Sequence, residues 1–165
     1  MERVIAILLL FLVCNTGYCQ LKPLTKKELK TLIKESIIAK KEYYSASWII
    51  CNKDSTYFKH DTLLLHGNIS NTSHLNDCCE YIGWNFTNKK RMYQSSKNTC
   101  KPPVSIGKVL TEYDFYKIRI IHKQNKLLLQ RYNKGRLIDS YEVLGYSETQ
   151  YGNNYNSPSI TLVRQ

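Results

Sequence analysis

The sequence is short of the residues that break, bend or acidify a chain, and each shortage excludes something. Seven glycines and four prolines in 165 residues leave no room for a collagenous repeat or a low-complexity linker. There is no glycine-rich phosphate loop, no G-x-S-x-G elbow and no H-E-x-x-H pair, so P-loop, serine-hydrolase and zincin chemistry find no foothold. C-x-x-C and H-x3-H spacings are missing too, which removes the common zinc modules. The apolar run from Val4 to Cys14 falls well below the roughly 20 residues that a spanning helix needs. Acidic residues are scarce, 13 against 24 Lys and Arg, for a formal charge of +11. What remains is a basic domain with 13 tyrosines, 4 phenylalanines and 6 cysteines.

The N-terminus has the layout of a secretory signal peptide over residues 1–19. Arg3 supplies the positive start, Val4 to Cys14 the apolar core, and Gly17 and Cys19 the small residues inspected at a cut after Cys19. A lipoprotein leader acylated at Cys19 or Cys14 is the rival, but Tyr18 and Val13 stand where a small residue belongs. The expected protein is therefore secreted or periplasmic. Cleavage removes Arg3 and Glu2 together and leaves the charge at +11. It also leaves four cysteines, Cys51, Cys78, Cys79 and Cys100, an even number that reads as two disulfides in an exported domain. A Cys78–Cys79 bridge would need a distorted peptide. Two pairings stay open: Cys51–Cys78 with Cys79–Cys100, or Cys51–Cys79 with Cys78–Cys100. The metal alternative draws on His60, His66, His74, Cys78 and Cys79, although vicinal cysteines suit one tetrahedral ion poorly.

Residues 20–45 form a helical segment by pattern. Thr25-Lys26-Lys27-Glu28 is a capping box, and Leu29, Leu32, Ile33 and Ile37 recur as one apolar stripe. Lys26, Lys30 and Lys34 make a basic row beside it. The reading is a docked helix with a solvated basic edge, and the alternative is a surface that seeks an anionic partner. Residues 46–165 then alternate with period two. Strands are expected at Trp48 to Cys51 and Thr62 to His66, with extended Thr56-Tyr57-Phe58 between them. Tyr81 to Thr87 is the clearest strand, with Ile82, Trp84 and Phe86 on one face. Residues 67–77 read as a loop, and Arg91 to Gln94 as a strand after a turn at Asn88-Lys89-Lys90. A three-strand meander runs from Tyr113 to Tyr146, turning at Lys123-Gln124-Asn125 and at Asn133-Lys134-Gly135, where glycine supplies a positive φ. Gly152-Asn153-Asn154 reads as loose and Ser159 to Arg164 as a last strand. The fold class expected is mainly β: an antiparallel up-and-down meander of about eight strands closing into a barrel, with one N-terminal amphipathic helix.

Trp48 in Ser47-Trp48-Ile49, Cys78/Cys79 and Cys100 bracketing Ile82-Gly83-Trp84-Asn85-Phe86, and the terminal Ile160-Thr161-Leu162 together resemble the small exported bacterial lipocalin-like domains. The resemblance spans roughly residues 46–164. It implies an antiparallel barrel holding a small apolar ligand, with Trp48, Ile82, Trp84, Phe86, Tyr116, Ile118 and Ile120 as lining residues. The same list also describes a packed hydrophobic core.

Catalysis would have to come from His60, His66, His74 and His122 with neighbouring Asp61, Asp77 and lysines, an acid–base set that cleaves RNA when two imidazoles share a cleft. Nothing in the spacing pairs them, and all four fall in or beside expected turns. The charge admits a polyanion partner. The densest stretch, Lys22 to Lys41, carries seven Lys and two Glu, so less than half of the charge sits in one element. The sequons at Asn68, Asn71 and Asn85 matter only in a glycosylating host. The expectation is an exported, non-catalytic binding or structural module with no cofactor and no metal. Polyanion binding through Lys26, Lys30 and Lys34, or a His/Lys ribonuclease, is the alternative.

Overall fold

The computed structural model describes residues 21–43, 47–67, 78–100, 105–107, 112–151 and 155–165. The expected signal peptide, His74, Asn68, Asn71 and the Gly152–Asn154 tail lie outside the described residues. Helix α1 covers Lys26–Tyr43. The capping box forms as the sequence requires: the Thr25 Oγ1 accepts the Glu28 N–H at 3.2 Å, and the Thr25 N–H donates to Glu28 Oε2 at 2.8 Å. That backbone hydrogen bond holds the Glu28 carboxyl below its usual pKa.

Among the described residues nine strands follow: β1 Trp48–Cys51, β2 Thr62–His66, β3 Glu80–Asn88, β4 Arg91–Asn98, β5 Ser105–Gly107, β6 Phe115–Lys123, β7 Lys126–Asn133, β8 Arg136–Tyr151 and β9 Tyr155–Arg164. Eight of them close into an antiparallel barrel, in the ring order β3-β1-β2-β9-β8-β7-β6-β4, with β4 returning to β3. The short β5 extends β4 outside that ring. Six strands, β3, β4, β6, β7, β8 and β9, are an uninterrupted meander. The β1–β2 pair closes it in inverted order, with β1 against β3 and β2 against β9. Long-range pairing of this kind leaves no mark in local alternation.

Two elements depart from the sequence-based expectation. Thr56–Lys59 is a short helix, α2, rather than an extended stretch, and it turns Tyr57 into the core while Phe58 stays exposed. The third meander strand runs on to Tyr151, past Tyr146, because a bulge between Val143 and Gly145 keeps β8 in register with β9. Gly145 is required there: a Cβ would stand 2.9 Å from the Lys22 carbonyl oxygen. Without it, Lys22 and Tyr146 could not exchange their two backbone hydrogen bonds of 2.8 and 2.9 Å. The turns at Gln124-Asn125 and Lys134-Gly135 both hold two successive positive-φ residues, the conformation that matches the twist of tight hairpins.

Inward residues from all eight ring strands and from α1 form one apolar cluster. Leu29 and Ile33 of α1 enter it with 1% and 2% of their surface exposed, while Leu32 and Ile37 of the same stripe are partly buried and pack against it. The helix packs on β3 and β6, and its lead-in is bonded to β8, which lays it across one end of the barrel. The outer face of β3 is covered as well. Tyr81, Gly83 and Asn85 are buried, with Tyr81 packing beside Ile49 and Cys78. The pairing of cysteines is Cys51–Cys78 and Cys79–Cys100. Adjacent Cys78 and Cys79 thus tie the start of β3 to the end of β1 on one side and to the residue chain leaving β4 on the other.

Candidate functional site

The seven residues expected to line a ligand space are distributed within the core. Trp48, Ile82, Trp84, Phe86, Ile118 and Ile120 pack in the single buried cluster, and Tyr116 lies against its edge. Trp84 is wholly buried and Trp48 keeps 2% of its surface. Trp48 Nε1 is a buried donor with no hydrogen-bond acceptor among the described residues.

The three histidines among the described residues are not brought together. His60 and His66 lie at opposite ends of β2, while His122 is on β6, with β9, β8 and β7 between the two strands. His66 Nδ1 stands 3.0 Å from Ser159 Oγ, and burial lowers its pKa. Cys78 and Cys79 are consumed in disulfides, so neither is a thiolate ligand for a metal. Among the described residues no group of three or more His, Cys, Asp and Glu converges. Asn85 of the third sequon is buried, its amide nitrogen donating to Ser95 Oγ at 2.9 Å and its oxygen accepting from Ser47. It is not presented for glycosylation.

A feature the sequence reading passed over lies toward the barrel end opposite α1. Arg131 points inward with 3% of its surface exposed. Its Nε donates to Asp139 Oδ1 at 2.7 Å, Nη2 bonds Asp139 Oδ2, and Nη1 donates to Gln94 Oε1 at 2.8 Å. The same Gln94 oxygen accepts the Tyr57 hydroxyl at 3.0 Å, and the Tyr141 hydroxyl donates to Asp139 at 3.1 Å. The guanidinium lies 4.5 Å from the Tyr116 ring centre and 4.7 Å from that of Trp84. Burial opposes the Arg131 charge, but the bonds to Asp139 outweigh it and leave the group more strongly protonated than in water. Burial also raises the Tyr141 and Tyr116 hydroxyls above their usual pKa, so they stay neutral. Every polar partner here is engaged within the protein, which is the arrangement of a structural brace.

The outer wall is different. A cleft of about 560 Å³ opens where the β3–β4 turn, β6 and the β7–β8 turn meet. Its cations are Arg91, Lys117, Arg119 and Lys134, and its aromatic rings include Phe115 and Tyr132. Arg119 lies 4.9 Å above the Tyr132 ring centre. Lys134 pairs with Glu112, yet among the described residues no Asp or Glu lines the cleft itself. Arg91 and Lys117 face each other directly across the β4–β6 ladder, a like-charge placement that weakens a sheet. A second hollow, of about 310 Å³, adjoins the first and shares Lys117 and Arg119 with it. There Lys26 and Lys30 of α1 meet Lys89 and Lys90 of the β3–β4 turn, again with no carboxylate among the described residues of the lining. The turn is held against β6 by the Ile118 N–H, which donates to the Lys90 carbonyl at 2.8 Å. Lys34, third in the helical row, is exposed but lines neither hollow.

Charge that looks dispersed along the sequence is therefore gathered by the fold. No helix of the described residues is long and apolar enough to cross a membrane. The barrel is compatible with a lipocalin-like fold, and that likeness rests on its architecture. Comparison with protein-family models, with characterised proteins and with solved structures finds no match to this chain.

Proposed function

We propose that the chain is an exported, non-catalytic binding module with a lipocalin-like barrel, and that its ligand carries negative charge and is held on the outer wall. The observation that carries this reading is the cleft of about 560 Å³ walled by Arg91, Lys117, Arg119 and Lys134. Its size falls within the range of small-molecule sites, and its mixture of aromatic surface with convergent cations suits an anion with an apolar body. Export is supported by two disulfides, which persist in oxidising compartments.

The test is a calorimetric titration with naphthalenesulfonate and with its uncharged hydroxymethyl counterpart. The sulfonate is expected to bind and the neutral compound to bind at least about tenfold more weakly, since a hydrogen bond to a charged group contributes about 1.5–3 kcal/mol. Lys117→Gln with Arg119→Gln is expected to remove that preference. Equal binding of both compounds by the parent chain would rule the reading out.

A small apolar ligand inside the barrel is the second reading. It is favoured by the indole N–H of Trp48, which has no acceptor among the described residues, because an unmade buried hydrogen bond costs about 1–3 kcal/mol that a ligand acceptor would recover. Such a ligand has to displace side chains that now bury one another.

A further inference from the structure

We infer that the anion taken by the outer cleft is an extended sulfated or uronate-bearing polysaccharide, running from the cleft through the adjoining lysine hollow to α1. This deepens the cleft reading and rests on it. The two hollows are continuous through Lys117 and Arg119, and the second adds Lys26, Lys30, Lys89 and Lys90. These cations come from α1, the β3–β4 turn and β6, so the basic track crosses three elements rather than following one helix. A single small anion neutralises one end of such a track. A chain of regularly spaced anionic groups neutralises all of it, with each added contact made at high effective concentration.

Lysine supplies five of the six cations in the lysine hollow, Arg119 being the exception. Compact ammonium groups suit spaced sulfates and carboxylates without base-edge readout. Single-stranded nucleic acid would call for a succession of open rings on which bases stack. Here the face of Tyr132 is taken by Arg119, and Phe115 is the ring left well exposed in the cleft lining, at 53%. The disulfides also fit an oxidising compartment.

The experiment measures binding of heparin-derived disaccharide, hexasaccharide and dodecasaccharide to the full disulfide-bonded chain, over a salt series. Affinity is expected to rise by more than about tenfold from disaccharide to dodecasaccharide. For about six ion contacts, the plot of log K against log salt should have a slope of about −4. Lys89→Gln with Lys90→Gln, and separately Lys26→Gln with Lys30→Gln, should flatten the length dependence and the salt slope while naphthalenesulfonate binding persists. Lys53→Gln with Lys59→Gln removes equal charge from outside the track and should change neither. Melting temperatures of all variants should match the parent, since among the described residues these side chains make no salt bridge to an acidic residue. Naphthalenesulfonate binding without length dependence would overturn the polysaccharide and spare the cleft. Failure of every anion to bind would overturn both. Tighter binding of single-stranded DNA of matched charge would replace the polysaccharide with nucleic acid.

Discussion

Replacing Asp139 with Ala is expected to destabilise the fold by about 3–5 kcal/mol, because it leaves the buried Arg131 guanidinium without its counter-charge. In a domain of this size the melting temperature should fall by about 10–20 °C. The loss comes less from the ion pair itself than from the charge left behind. Removing both charges together, as Arg131→Met with Asp139→Leu, should therefore cost far less than Asp139→Ala alone. Gln94 then loses one partner and the Tyr141 hydroxyl loses two, while Trp84 and Tyr116 keep an apolar side chain to pack on. Thermal or urea unfolding of the three proteins reads the difference. An Asp139→Ala variant within about 1 kcal/mol of the parent would mean that water reaches Arg131, in conflict with its 3% exposure.

Reduction of both disulfides is the other large effect expected. Chain-entropy arithmetic for loops with separations of 27 and 21 residues gives about 3.5 kcal/mol for each, or about 7 kcal/mol together. Domains commonly hold only about 5–15 kcal/mol of net stability, so the reduced protein should be marginal at 37 °C. Melting should drop by about 15–25 °C in excess reductant. Either bridge alone should give about half of that, since each closes its own loop. A melt unchanged by reductant, with the thiols shown to be free, would mean that the closed β1–β3–β4 sector holds without its staples.

The strands that read clearly from sequence are those whose inward residues are uniformly apolar. Ile82, Trp84 and Phe86 set the phase of β3, and Ile118 and Ile120 that of β6. The capping box at Thr25 and the glycine turn at Gly135 were equally legible, because each is a local rule with a local consequence. Arg131 was hidden by its own type: an arginine in a strand is ordinarily taken as outward. The signal was present all the same. Leu127 and Leu129 point inward, so Arg131 shares their phase, and the tight turn at Lys134-Gly135 brings Asp139 opposite it in the hairpin. The order of β1 and β2 in the ring depends on pairing between distant segments, which no local pattern carries.

The basic track was invisible for a related reason. Lys117 and Arg119 alternate with inward isoleucines, Lys89-Lys90 occupies a turn, and Lys26 and Lys30 sit on a helical edge. Each is an ordinary solvated position in its own element. Only the packing of α1 across the barrel end and the docking of the β3–β4 turn on β6 bring them to one surface. A charge of +11 admits a polyanion partner, and the fold gathers part of that charge on one surface.

The most direct measurement is an NMR titration of the isotope-labelled protein with naphthalenesulfonate. Binding on the outer wall predicts that the backbone amides of Lys90, Arg91, Lys117 and Arg119 shift in proportion to occupancy, while the indole N–H signals of Trp48 and Trp84 stay in place. Movement of the two indole signals, with Lys117 and Arg119 unmoved, would put the ligand inside the barrel and contradict the outer site.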